Sequence, residues 1–148
     1  MNTIKTASFH IVKPCNMKCK FCYATFEDFK VGKQMDLSDA KKVINKLKSI
    51  GIEKITFAGG EPMLYKNLTE LIIYTKNIGI TTSLITNGSL ITKKWLKYIE
   101  PYLDWIGVSI DSLDENINKK IGRTSKLNVD YYDLFDTLNK MNFKLKFK

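Results

Sequence analysis

The sequence predicts an α/β fold: a parallel sheet built from about four βα units plus the start of a fifth strand. Short runs rich in β-branched and aromatic residues alternate four times with helix-patterned segments, which is the signature of right-handed βαβ connections. The unusual short motifs all follow the C-terminal ends of predicted strands, the edge where parallel α/β folds bind ligands. Low-complexity stretches and linkers are absent, so residues 1–148 are expected to form a single domain. Alternation alone leaves two architectures open, a doubly wound sheet and an arc of a barrel.

The first strand is predicted at "SFHIV" (8–12), ending just before a cysteine-rich loop. The helix "LSDAKKVINKLKSI" follows, with Val43, Ile44, Leu47 and Ile50 as its apolar stripe, Asp36 as cap and Gly51 as stop. "KITFA" (54–58) is the second strand, broken by Gly59-Gly60. The second helix runs through "NLTELIIYTKNI", where Asn67 and Glu70 have capping-box spacing and Gly79 ends the pattern. "TTSLIT" (81–86) is the third strand, closed by the turn pair Asn87-Gly88. Thr92 opens the third helix, with Trp95, Leu96 and Ile99 on one face and Pro101 beyond it. "WIGVSI" (105–110) is strand four, and "YYDLFDTLNKM" is the fourth helix, with Leu134, Phe135, Leu138 and Met141 inward. "FKLKFK" (143–148) begins a fifth strand. A closed eight-unit barrel takes about 250 residues, so the chain is expected to be C-terminally truncated.

At 44% apolar and 26% charged residues, the composition is that of a globular protein. No run of about 18 apolar residues suggests a membrane span, and the N-terminus lacks the apolar core of a signal peptide. A cytoplasmic protein is expected. The net charge of +9 fits either a lysine-rich solvated surface or attraction to an anion such as a nucleotide phosphate. Zinc-finger, RNP1 and basic-zipper patterns are absent, as is any block of five like charges, so direct nucleic-acid binding is not expected. Of the 24 basic residues only Arg123 is arginine, and its planar fork makes it a candidate anion clamp.

Cys15, Cys19 and Cys22 are the only cysteines and lie in a C-x3-C-x2-C run. Three thiols cannot pair completely, and a reducing compartment disfavours disulfides. Clustered thiolates point to a metal. Structural zinc would need His10 as a fourth ligand, at a spacing that matches no usual zinc module. An iron–sulfur cube on three thiolates would leave one iron open to a substrate.

The C-x3-C-x2-C run after strand one, with Phe21 just before its last cysteine, resembles the signature of radical S-adenosylmethionine enzymes. "GGEP" (59–62) after strand two strengthens the likeness. A narrower resemblance covers residues 8 to 125. "EKITFAGGEPML", "LITNGSLI" and "LDWIGVSIDSLDENINKKIGR" follow one another as in the viperin branch, nucleotide dehydratases with bacterial and archaeal relatives. The resemblance implies a partial (β/α) barrel of the radical SAM type and a [4Fe–4S] cluster on Cys15, Cys19 and Cys22. It places S-adenosyl-L-methionine against Phe21, Gly59, Gly60, Glu61, Asn87, Ser109 and Arg123, with the methionine ammonium at the glycine turn and its carboxylate at Ser109 and Arg123. Asn87 would lie by the adenosyl group. Lys54 and Ser8 become candidates for contact with a nucleotide.

The implied reaction is reductive cleavage of S-adenosylmethionine to a 5′-deoxyadenosyl radical. The radical takes the ribose C4′ hydrogen of a nucleoside triphosphate and leads to a 3′-deoxy-3′,4′-didehydro product, an antiviral chain terminator. The implied partners are the nucleotide, a flavodoxin- or ferredoxin-like electron donor, and a chain supplying the C-terminal half that viperins possess. The sequence departs from the branch at Ser8, where viperins often have asparagine, and at Ala58, where they have serine. Two other functions stay open: a radical enzyme acting on a peptide or other small molecule, and an inactive fragment or metal-binding module.

Overall fold

The structure, a computed structural model, describes residues 4–23, 34–125, 129–141 and 143–147. Its strands are β1 (Thr6–Val12), β2 (Lys54–Gly59), β3 (Thr81–Thr86), β4 (Trp105–Val108) and β5 (Lys144–Phe147). The helices are α1 (Leu37–Ser49), α2 (Leu68–Asn77), α3 (Lys93–Ile99), α4 (Glu115–Lys120) and α5 (Tyr131–Asn139). The sheet is parallel throughout, in the order β1-β2-β3-β4-β5. That order decides between the two architectures. A doubly wound sheet reverses its strand order at a switch point, whereas consecutive strands that stay neighbours describe an arc of a barrel.

Side chains alternate across each strand, so the two faces of the sheet differ in kind. One face buries Ile55 and Phe57 of β2, Leu84 of β3, and Ile106 and Val108 of β4. Against it pack Ala40 and Ile44 of α1, Leu71 and Ile72 of α2, Leu96 and Ile99 of α3, and Leu138 of α5. Each fully buried side chain of this kind contributes about 1.5–3 kcal/mol. On the other face Ser8, His10 and Ile85 are exposed, while Thr56 and Ala58 are half-buried.

Several expected details shift. In α1, Val43 and Ile50 are exposed; the helix turns Ala40 and Ile44 to the sheet, and Ile50 lies past its end. Asp36 occupies the N-cap of α1 without a side-chain capping bond. Asn67 does not cap α2 through its side chain either. A short 3-10 turn, Pro62–Leu64, feeds into α2, so Leu68 N–H already donates to the Tyr65 carbonyl, while Glu70 pairs with Lys41 at 2.8 Å. Strand β4 stops two residues early because the Ser109 carbonyl accepts from Arg123 instead of a neighbouring strand. Helix α4 is an addition to the expected order, opened by Asp114, whose carboxylate accepts from Asn116 N–H at 2.7 Å. In α5, Leu138 is buried but Phe135 is exposed. No helix among the described residues is long and apolar enough to cross a membrane.

The edge of the sheet opposite the cysteines is tied by Asp104. Its carboxylate meets Lys76 Nζ at 2.5 Å and accepts from Thr82 N–H at 2.9 Å. Burial alone would raise this carboxyl, but Lys76 and Thr82 together hold it below its ordinary value. A lowered acid contributes stability that is complete above the unfolded-state value of about 3.9 and disappears as pH falls through the folded-state value. Asp104→Asn is therefore expected to destabilise the chain by about 1–2 kcal/mol at pH 7. Denaturant titrations from pH 7 down to pH 3 should show the difference between the two proteins shrinking at the acid end.

Candidate active site

The loop that leaves β1 carries Cys15, Cys19 and Cys22, and two seams of main chain hold it. At the first seam, Gly60 N–H donates to the Val12 carbonyl at 3.0 Å and Glu61 N–H to the Pro14 carbonyl at 3.0 Å. A Cβ on Gly59 would stand 2.3 Å from the Val12 oxygen, and one on Gly60 2.3 Å from the oxygens of Lys13 and Pro14. At the second seam, Lys18 N–H donates to the Gly122 carbonyl at 3.1 Å and Lys20 N–H to the Ile121 carbonyl at 2.9 Å. Gly122 has φ +76°, and a Cβ there would lie 2.1 Å from the Lys18 oxygen. The glycines are thus required by the chain's own packing. Within the loop, Cys22 N–H donates to the Cys19 carbonyl at 3.1 Å. Cys15 and Cys19 are half-buried, whereas Cys22, Phe21 and Tyr23 are exposed.

Glu61 is fully buried at the end of β2. Its Oε1 accepts from Thr86 Oγ1 at 2.7 Å and Met63 N–H at 3.0 Å, and its Oε2 from Asn87 N–H at 2.8 Å. Burial pushes its carboxyl up, against these three donors. The carboxylate therefore clamps the ends of β2 and β3 together. Asn87, also buried, turns its side chain to the loop: its Nδ2 donates to Asn16 Oδ1 at 2.9 Å and to Cys15 Sγ at 3.8 Å. Ser89 donates to Asn87 Oδ1 from its main-chain N–H at 2.9 Å and from its hydroxyl at 2.6 Å.

Arg123 closes the arrangement from the far side. Its side chain is 7% exposed, and its Nη1 pairs with Asp111 at 2.7 Å and reaches Cys19 Sγ at 3.9 Å. Its Nη2 donates to the Ser109 carbonyl. Arg123 also lines a cavity of about 450 Å³ between α4 and α5, together with Met17, Asn118, Lys119 and Tyr131. Among the described residues, the buried Arg123 Nε and Asn118 Oδ1 have no hydrogen-bond partner.

Burial raises the Cys15 and Cys19 thiols, against the Met17 N–H on Cys15 and the Arg123 cation beside Cys19. Cys15 feels the charge of Cys19, and Cys19 that of Cys22, so the three thiols form one electrostatic group. Among the described residues, no three His, Cys, Asp or Glu side chains gather closely enough to hold a single metal ion. A closed zinc site would need four ligands around one point, whereas a cube takes one thiolate on each of three irons. The donor set fits the cube: three sulfurs, N–H donors on two of them, and a buried cation at their side.

The structure brings Cys15, Cys19, Gly59, Gly60, Glu61, Asn87, Ser109 and Arg123 to one rim, with Cys22 and Phe21 at its exposed side. Ser8 and Lys54 lie elsewhere. Lys54 begins β2 at the opposite edge of the sheet, where its ammonium sits 4.5 Å from the centre of the Trp105 ring. Ser8 is exposed in the middle of β1, opposite Thr56. Asn16, Ser89, Asp111 and Gly122 also belong to the rim. Their signals were their places: Asn16 between the first two cysteines, Ser89 in the Asn-Gly-Ser turn, Asp111 past β4, and Gly122 beside the lone arginine.

Comparison with known proteins agrees with this geometry. The model of the radical SAM superfamily matches residues 11–147. The chain belongs to the radical SAM superfamily. It is 48% identical to an S-adenosylmethionine-dependent nucleotide dehydratase of Lacinutrix mariniflava, over 99% of this chain and 33% of the relative. A protein of the same description from Flammeovirga pacifica is 39% identical, over 98% of this chain and 53% of the relative. The chain thus spans about a third to a half of the curated relatives it matches. Among solved structures, SuiB of Streptococcus suis bound to S-adenosylmethionine superposes with a TM-score of 0.77, at 21% identity, over 97% of this chain and 33% of that one. Superfamily membership implies a [4Fe–4S] cluster and S-adenosylmethionine as cofactors, and the partial barrel agrees with the fold of its structural neighbours.

Two substitutions test the rim. Gly122→Ala meets the Lys18 carbonyl, so the chain is expected to lose most of its iron uptake on anaerobic reconstitution. Gly51→Ala is the control, since Gly51 also has positive φ (+89°) but nothing within 4 Å of its would-be Cβ. It should cost about 1–2 kcal/mol of stability and leave iron uptake unchanged. Glu61→Gln replaces one accepting oxygen with a donor and leaves Thr86 and Met63, or Asn87, facing an N–H. A loss of about 1–3 kcal/mol is expected by denaturant titration of the metal-free chain.

Proposed function

We propose that this chain carries the cluster- and S-adenosylmethionine-binding half of a nucleotide dehydratase, which converts a nucleoside triphosphate to its 3′-deoxy-3′,4′-didehydro form. The observation that carries this reading is Arg123. The only arginine of the chain is buried between a cysteine sulfur and the end of β4, with one N–H unpartnered among the described residues. A buried guanidinium holding a donor in reserve suits a carboxylate ligand bound beside the thiols. The 48% identity to a curated nucleotide dehydratase supports the substrate class.

On this reading Cys15, Cys19 and Cys22 each hold one iron of the cluster. Bound there, the cluster and S-adenosylmethionine supply the one-electron chemistry that removes the C4′ hydrogen of the nucleotide. Arg123 Nε meets the methionine carboxylate, and Ser109 sits beside it as the residue whose carbonyl fixes the guanidinium. The Gly59-Gly60 turn faces the methionine ammonium, which feels the buried Glu61 carboxylate through the turn without touching its oxygens. Asn87 lies by the adenosyl group, and Phe21 shields the cysteine loop from its exposed side. Lys54 and Ser8 stand on the face of the sheet turned away from the helical core, Lys54 roughly 16 Å from Gly59 at about 3.3 Å per residue. An extended triphosphate reaching down that face would pass Ser8 toward the Lys54 ammonium, helped by the net charge of +9. A flavodoxin- or ferredoxin-like protein would deliver the electron.

The test is anaerobic reconstitution of the 148-residue chain with iron and sulfide, then incubation with S-adenosylmethionine, dithionite and each common ribonucleoside triphosphate in turn. Mass spectrometry should find 5′-deoxyadenosine together with one nucleotide lighter by the elements of water. 5′-Deoxyadenosine with no dehydrated nucleotide would assign the radical to another substrate, and a colourless zinc protein would remove the cofactor. Arg123→Lys keeps the charge but loses the fork, and the dissociation constant for S-adenosylmethionine is expected to rise at least tenfold, about 1.4 kcal/mol.

A further inference from the structure

Cys15 is contacted by a side-chain amide whose orientation is dictated by its neighbours. Ser89 N–H can only donate, so the end of the Asn87 amide that faces it must be the oxygen. The other end is then the NH2 group, and it points to Asn16 Oδ1 at 2.9 Å and Cys15 Sγ at 3.8 Å. Because Asn16 accepts there, its own NH2 group faces Ser89 Oγ, to which it donates at 2.8 Å. Ser89 Oγ passes its hydrogen on to Asn87 Oδ1 at 2.6 Å. One main-chain N–H thus sets the polarity of a closed ring of three side chains, and two of the three, Asn87 and Ser89, are buried. The ring leaves an N–H on the sulfur of Cys15.

We infer that Asn87 is a positioning residue for the redox centre: its amide N–H, oriented by Ser89 and Asn16, raises the reduction potential of a cluster ligated by Cys15. The inference rests on the reading that the three cysteines hold a [4Fe–4S] cluster. Taking up one electron from an external reductant adds one negative charge to the thiolate-ligated centre. An N–H aimed at sulfur stabilises that charge, so hydrogen bonds to the ligating sulfurs move the potential upward. The three sulfurs are served unequally. Cys15 receives Met17 N–H at 3.4 Å and the Asn87 amide, while Cys19 receives Arg123. Cys22 is exposed, and its sulfur has no hydrogen-bond donor among the described residues. Asn87 is the only uncharged side chain among these donors, so its effect on the potential is separable from that of the Arg123 charge.

The test is a redox titration of the reconstituted chain followed by electron paramagnetic resonance, without S-adenosylmethionine so that no adenosyl contact contributes. Iron per chain is measured alongside. Asn87→Leu is expected to load iron and to show a lower midpoint potential. Ser89→Ala touches no cysteine and keeps the main-chain N–H that orients Asn87, so it is the control and should leave the potential close to that of the unsubstituted chain. An Asn87→Leu protein with full iron and an unchanged potential would overturn the inference. If Asn87→Leu takes up no iron, Asn87→Ala decides: a midpoint potential equal to that of the unsubstituted chain overturns it as well. Failure of the unsubstituted chain to take up iron would instead remove the cluster assignment, and this inference with it.

Discussion

The cysteine loop stands where it does because four main-chain carbonyls come closer to glycines than any side chain would permit. That of Val12 presses on Gly59, those of Lys13 and Pro14 on Gly60, and that of Lys18 on Gly122. Each seam is closed by hydrogen bonds between backbone groups, at the end of β2 on one side and just past α4 on the other. A cluster-binding loop carries few apolar side chains to bury, so packing alone would hold it poorly. Backbone-to-backbone contact replaces packing, and glycine is the only residue that allows it at these distances. The glycines of the Gly-Gly-Glu turn therefore have a role that precedes any ligand. They fix the height of the first cysteine above the sheet.

Two opposite buried charges then join the strand ends into one rim. Glu61 binds the end of β2 to that of β3, and Arg123 binds the end of β4 to the cysteine loop. Burying either charge is costly unless its hydrogen bonds are nearly all made. Glu61 satisfies this entirely with protein donors. Arg123 stops one short, since its Nε stays unpartnered among the described residues beside the cavity. That difference separates a fully satisfied ion from one that keeps a donor to spare. It also accounts for arginine at a position where lysine, used at every other basic site of this chain, would serve the Asp111 pair alone.

The strands and the main helices were legible because their patterns are local: β-branched runs for the strands, amphipathic stripes and Gly stops for the helices. Strand β3 matches its expected span at both ends. Helix α4 was missed because six residues carry too short a stripe to register, although Asp114 marks its start. The choice between a barrel arc and a doubly wound sheet was beyond the sequence pattern, because strand order is a property of contacts between distant segments. At the rim, the cysteines and Arg123 could be named from chemistry and rarity. Ser89 and Asn16 could not, because neither residue type is unusual; they matter through a ring of hydrogen bonds that exists only when residues 16 and 89 meet. Glu61 could be named from its motif, but its three protein donors, Thr86, Met63 and Asn87, could not, because they come from the turn that follows it and from the end of a different strand.

Lys54 stands apart from the rim, at the start of β2. A residue that starts a strand cannot reach chemistry that occurs past the strand's end, and the cysteines stand a full strand length away. Yet Lys54 alternates with Ile55 and so lies on the face opposite the buried core, together with Thr56 and Ala58, with its ammonium over the Trp105 ring. Among the described residues, the main helices pack on one side of the sheet and leave a largely polar surface on the other, running from the cysteine loop down past His10 and Ser8. A small ligand would occupy the rim alone. A long anion, with its reacting carbon near the rim and its charge at the far end, would use both. Under the proposed function, the one-sided cover among the described residues is what would let a cation at the far end of β2 meet the same ligand as the rim.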